Sequence, residues 1–145
     1  MRTRILIVDA SFTIRALLAM LFDADDRFAV MGVAADAREA GALIRDRPPD
    51  IAILEHPEGD GVDLLTALAA GQVPMVLLSA GAQRAIPLPR EWRALGVLAR
   101  FDKARLRGDA RRFADLVARA AYKDREMKLR HRAAPARPAG APPST

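Results

Sequence analysis

Four short segments of the chain carry groups that can handle charge: "VDAS" (8–11), "LEHP" (54–57), "LSAG" (78–81) and "FDKA" (101–104). Each closes an apolar run of strand length. In an open parallel α/β sheet, functional groups gather outside the carboxyl ends of the strands, at the point where the strand order reverses. Such a sheet would bring together two carboxylates, Asp9 and Glu55, the hydroxyl of Ser79 and the amine of Lys103. The chemistry of that set is the fixing of charge, because a strand-end carboxylate beside a lysine is kept ionised by it.

The elements needed to hold these groups are legible in the pattern. Strands are expected at "RILIVD" (4–9), "FAVMGVA" (28–34), "DIAILE" (50–55), "PMVLLS" (74–79) and "GVLARFD" (96–102). Their near-continuous apolar character is that of a parallel sheet covered on both faces. Between them, Ile14, Leu17, Leu18 and Leu21 share one helical stripe, and "DARE" (36–39) is an Asp cap with Glu three residues on, opening a helix to Arg45. A third helix is predicted from about Gly61 to Leu68. Pro87 and Pro89 confine the fourth to Arg90–Leu95. Phe113, Leu116, Val117 and Ala120 define the last, behind Asp109 as its expected N-cap. The result is βα five times over. Residues 1–121 are expected to form this domain and 122–145 a basic, Pro/Ala-rich flexible tail, although the helical pattern can run on through "KDREMKLRHR".

Over residues 3–121 the order of these motifs resembles the receiver domain of bacterial two-component response regulators. Through "RILIVDAS", "VMGVAADAREAGALI" and "PDIAIL" it is most similar to the receiver of the chemotaxis methylesterase. The resemblance implies a doubly wound, flavodoxin-like fold with strand order 2-1-3-4-5, in which the two prolines shorten the fourth helix. In the family an aspartate ending strand three is phosphorylated, two acids after strand one help it hold Mg²⁺, a Ser/Thr ends strand four and a lysine ends strand five. By position these are Glu55, Asp9 with Ala10, Ser79 and Lys103. Ala10 cannot coordinate a hard cation, which demands oxygen. Glu55 carries one methylene too many for in-line phosphoryl transfer. Pro57 follows Glu55 by two residues where the family usually has four, and Arg100 stands where many receivers keep a switching aromatic. These departures describe a degenerate pocket, a pseudo-receiver, with no metal or cofactor expected. Glu55 is expected to be a fixed anion paired with Lys103, and Asp9 to take hydrogen bonds from backbone or Ser79.

Other features carry less specific expectations. His56 has no histidine near it and reads as a solvated loop residue; Trp92, on the short fourth helix, reads as a plug replacing lost packing, with an exposed partner anchor as the other reading. The formal charge is +5, but residues 122–145 hold six Lys/Arg and two Asp/Glu, so most of the excess lies there. Arg105, Arg107, Arg111 and Arg112 cluster around the start of the last helix. They form either a solvated face or an anion site, for example for a cyclic dinucleotide.

With no cysteine, disulfides and thiol chemistry are excluded. No apolar run approaches the roughly 20 residues that span a bilayer, and no signal peptide is recognisable, so a cytoplasmic protein without membrane contact is expected. No reading element for DNA and no GxSxG-type nucleophile follows the domain, so neither DNA binding nor enzymatic activity is expected. The expected function is phosphorylation-independent signalling through the fourth helix, fifth strand and fifth helix. The partner would be a histidine kinase, phosphotransfer protein or regulator, or a second copy of the chain. The alternatives are the anionic-nucleotide effector and a remnant of a chemotaxis methylesterase.

Overall fold

The computed structural model describes residues 1–59 and 61–133. The chain runs β1 (Thr3–Val8), α1 (Phe12–Asp23), β2 (Phe28–Ala34), α2 (Ala37–Asp46), β3 (Ile51–Glu55), α3 (Gly61–Ala70), β4 (Met75–Ser79), α4 (Arg90–Leu95), β5 (Val97–Asp102) and α5 (Ala110–Ala133). All strand pairs are parallel, in the order β2-β1-β3-β4-β5. This is the doubly wound fold the sequence predicts, with the strand ends within one or two residues of expectation.

The two-residue period of each strand divides the core into two layers. Ile5 and Ile7 of β1, Ile51 and Ile53 of β3, and Val76 and Leu78 of β4 face α1 and α5, where Leu18, Phe22, Phe113 and Val117 close over them. Phe22, Phe28, Phe101 and Phe113 meet edge-on or tilted in this layer, at centroid distances of 4.9–6.0 Å. The alternate residues, Leu6 and Val8, Ala52 and Leu54, Met75 and Leu77, face α2, α3 and α4. Where α2 packs, Gly32 leaves room for Leu43, whose Cδ1 would lie 2.9 Å from any added Cβ.

Capping follows the sequence closely in two places and departs from it in a third. Ser11 accepts the amide of Ile14 to start α1. Asp36 accepts the Glu39 amide at 2.9 Å, and the Glu39 carboxylate reaches back to the Ala35 amide. Asp109, the expected cap of α5, instead gives its carboxylate to Arg105 at 2.7 Å. The guanidinium four residues upstream holds this carboxylate through two donors to Oδ2.

Two short 3₁₀ turns, Gly81–Ala85 and Lys103–Arg105, are additions to the expected elements. Helix α5 continues without a break past Tyr122, where the flexible tail was expected to begin, as far as Ala133. Lys128 holds the extension to the body through the Gln72 carbonyl and an i,i+4 pair with Asp124. The rest of the expected tail, 134–145, lies outside the described residues.

The two prolines before α4 leave it six residues long, ending at Gly96 in a left-handed conformation with φ 117°. Trp92 occupies the space a longer helix would cover: it packs with Leu88 and Leu95 on the second layer, its ring 5.2 Å from His56 and edge-on to it. His56 is therefore half-buried rather than solvated, and its Nδ1 has no hydrogen-bond partner among the described residues. Burial, followed by the Arg100 charge, holds the imidazole below its ordinary value of 6.5. Since the fold favours the neutral ring, the unfolded chain binds the proton more readily, and stability from this site is lost as pH falls below 6.5. His56→Phe keeps an aromatic against Trp92 but does not titrate. Denaturation followed from about pH 7.5 to about pH 5 should show a smaller acid-side loss for His56→Phe than for the wild type.

Candidate functional site

The carboxyl ends of β1, β3, β4 and β5 do bring Asp9, Glu55, Ser79 and Lys103 to one crevice. Asp9 follows β1 directly and is completely buried. Its Oδ1 accepts the Ser11 amide at 2.8 Å, and its Oδ2 lies 2.8 Å from Lys103 Nζ, an ion contact rather than an aligned hydrogen bond. Arg15, one turn into α1, donates to the carbonyls of Asp9 and Ala10 at 2.8 and 3.0 Å. The loop that presents Asp9 is thus tied to the helix that follows it.

Glu55, at the end of β3, is the more exposed acid. Its Oε1 accepts the Ala10 amide at 2.8 Å, while Oε2 stands 3.6 Å from Lys103 Nζ. The expected Glu55–Lys103 pair is therefore the weaker half of the arrangement, and the lysine belongs first to Asp9. The extra methylene of glutamate carries its carboxylate past the lysine to the loop amide. Ser79 is buried beneath, but its hydroxyl makes no bond to Asp9 or to any other described group.

The set does not fit a divalent cation. Ala10 supplies a methyl group where a hard cation demands oxygen, and Asp9 Oδ2 already faces an ammonium. Among the described residues no cluster of three acidic or imidazole groups is arranged to hold an ion. Beside the crevice lies a cleft of about 730 Å³ lined by Ala10, Asp36, Arg38, Glu55, His56 and Glu58. Three carboxylates and one guanidinium make it unfavourable for an incoming phosphoryl group.

Arg100 has a role that its sequence position alone did not suggest. From β5 its guanidinium donates to the carbonyls of Gln83, Arg84 and Ile86. Arg84 in turn binds Asp102 at 2.9 Å, and its guanidinium, with the Ala104 amide, holds the Asp102 carboxyl below the usual carboxylate range. Gln83 reaches Glu58 at 3.1 Å. The 81–86 segment after β4 is pinned to β5 on one side and to the β3–α3 loop on the other. An arginine at a strand position beside a loop bearing free carbonyls is the signal that could have revealed this clamp.

The arginine cluster does not assemble into one site. Arg105 binds Asp109 and lies over Phe101, 5.6 Å from the ring centroid. Arg107, Arg111 and Arg112 are exposed, and of the four only Arg112 lines the groove between α5 and the start of β1.

No family model matches the chain. It is 31% identical over 142 residues to a protein-glutamate methylesterase/protein-glutamine glutaminase of Agrobacterium fabrum, covering 96% of this chain and 40% of that protein. A methylesterase of Albidiferax ferrireducens is likewise 31% identical over 147 residues, covering 99% of this chain and 39% of the relative. The chain thus spans about two fifths of the length of the relatives it matches. In structure it is similar to the response regulator domain of Thermotoga maritima CheB, with a TM-score of 0.73 at 19% identity, over 84% of this chain and 98% of that one. NtrX of Brucella abortus gives a TM-score of 0.75 at 23% identity, over 92% of this chain and 30% of that one. The chain thus has the fold of a response-regulator receiver domain and is similar in sequence to the methylesterases over about two fifths of their length.

Proposed function

We propose that this receiver works in chemotaxis-like or two-component signalling by protein contact that does not depend on phosphorylation, and that it is not itself an enzyme. One observation carries the reading: the lysine of the crevice is engaged by buried Asp9 at 2.8 Å, while Glu55 is anchored to the Ala10 amide. The groups that would receive and neutralise a phosphoryl group already neutralise one another. The Arg100 clamp supports the same reading, since it holds the segment that a receiver would have to move on activation.

The contact surface is the face of α4, β5 and α5. Ile86 and Leu98 are about half exposed there, beside the short α4. CheY6 of R. sphaeroides, a receiver of similar fold with a TM-score of 0.63 at 24% identity, is known in complex with the P1 domain of CheA3. A kinase, phosphotransfer protein or regulator of this kind, or a second copy of the chain, is the proposed partner, and the cytoplasm the proposed location. Among the described residues no helix is long and apolar enough to cross a membrane. The similarity to methylesterases favours a second reading, in which the domain is the receiver arm of a methylesterase or derives from one. The compact nucleotide site has less support, because Arg105 is paired and Arg112 faces a different groove.

Incubation with acetyl phosphate and Mg²⁺ should leave the intact mass unchanged. A stable gain of one phosphoryl group on Glu55 or Asp9 would overturn the proposal.

The charge pairing is tested by removing the lysine. Lys103→Met leaves the Asp9 carboxylate buried without its cation and should destabilise the fold by about 1–3 kcal/mol in chemical denaturation. Adding Asp9→Asn should recover more of that loss than adding Glu55→Gln, because Asp9 is both the nearer and the more deeply buried partner. A neutral Lys103→Met, or equal recovery by both second substitutions, would refute the pairing as described.

A further inference from the structure

We infer that the outer face of α5 binds an acidic, helical segment of a partner protein along a stripe formed by Arg112, Arg119, Lys123 and Arg130. The inference rests on the contact-driven function proposed above and adds the chemistry of the partner.

Spacings of seven, four and seven residues place these four cations on one side of the helix, over roughly 27 Å at 1.5 Å per residue. All four are exposed. The middle of the stripe borders a groove of about 850 Å³ between α5 and the start of β1, to which Arg125 adds further positive charge while Arg27 and Asp115 offset one another.

A run of surface charge is ordinarily balanced by its neighbours, and here the balance is incomplete. Asp115 is held by Arg27 at 3.0 Å, Asp124 by Lys128 at 2.7 Å, and Glu126 accepts the Tyr122 hydroxyl at 2.9 Å. Asp115 and Asp124 are thus paired with cations outside the stripe, and Glu126, whose partner is a neutral hydroxyl, is the one acid left to offset the four. None of the four stripe cations has an ion partner among the described residues. Arg112 lies in the first turn, where the helix dipole disfavours a cation, and Arg119 and Lys123 repel each other at i,i+4. An acidic partner relieves both penalties.

A protein segment fits the surroundings better than a polynucleotide. Tyr122 is the one aromatic lining the groove, so successive bases have no row of rings to stack on. Across the ridge made by Arg119 and Lys123 lies a smaller cleft of about 380 Å³, where Leu98, Leu116, Ala120 and Met127 offer apolar surface. A helix with glutamates on one stripe and apolar side chains beside it satisfies both features, whereas a phosphodiester backbone satisfies only the first.

The probe is a fluorescein-labelled designed helical peptide with glutamates at i, i+4, i+7 and i+11 and leucines flanking them, titrated with the full chain and followed by anisotropy. Saturable binding is expected, weakening as salt rises. Arg119→Gln with Lys123→Gln should weaken it about tenfold or more, whereas Arg45→Gln with Arg47→Gln, which removes equal charge at the end of α2, away from the proposed contact face, should change it by less than about twofold. All four substituted residues are exposed, and circular dichroism checks that both variants remain folded. Absence of binding at low salt, equal losses in the two variants, or tighter binding of a single-stranded oligonucleotide of equal charge would each overturn the inference. Phosphorylation by acetyl phosphate would overturn the contact-driven function while leaving this titration unaffected, so the two failures can be told apart.

Discussion

A carboxylate sealed from water has to be compensated where it stands, at the risk of several kcal/mol, and Asp9 is such a group at the end of β1. Its compensation comes from the opposite side of the crevice. Lys103 follows β5, and its ammonium reaches past the ends of β4 and β3 to lie 2.8 Å from the Asp9 carboxylate. The turn that aims the lysine is itself secured, since Asp102 accepts the Ala104 amide at 3.0 Å and starts the 3₁₀ turn 103–105. One ion pair therefore ties the first strand to the last, and the rest of the crevice is arranged around it. Ser79 lies buried beneath with an unused hydroxyl.

The placement of Glu55 follows from the same arrangement. With the lysine engaged by Asp9, a carboxylate at the end of β3 needs a donor of its own, and the Ala10 amide supplies one at 2.8 Å. Glutamate has the reach for that amide. The loop after β4 completes a static design: Arg100 takes three of its carbonyls, and Arg84 and Gln83 tie it to Asp102 and Glu58. Movement of this segment would break several charge-assisted hydrogen bonds together. Such a pocket is suited to presenting a fixed surface.

The molecule also separates its charges. Acids gather around the cleft beside the crevice, where Asp36, Glu55 and Glu58 outnumber Arg38, while α5 carries a row of cations whose neighbours Asp115 and Asp124 are paired outside it. An anionic partner is thereby repelled from the strand ends and attracted to the helix.

The division between what the sequence by itself determined and what needed the folded chain follows from the range of the forces involved. Apolar runs of strand length, helical stripes and the two prolines before α4 act locally or with a regular period, so they predicted the five βα units, the short α4 and the strand-end location of Asp9, Glu55, Ser79 and Lys103. The resemblance to receivers supplied the strand order. Which acid the lysine prefers was decided only in three dimensions, because the choice between Asp9 and Glu55 depends on burial and on one methylene of reach. The same holds for Asp109, whose carboxylate is held by Arg105, for His56, drawn out of solvent by Trp92, and for Arg100, whose carbonyl partners lie 14–17 residues away in sequence. Polar side chains choose partners by distance and exposure, and those are properties of the folded chain.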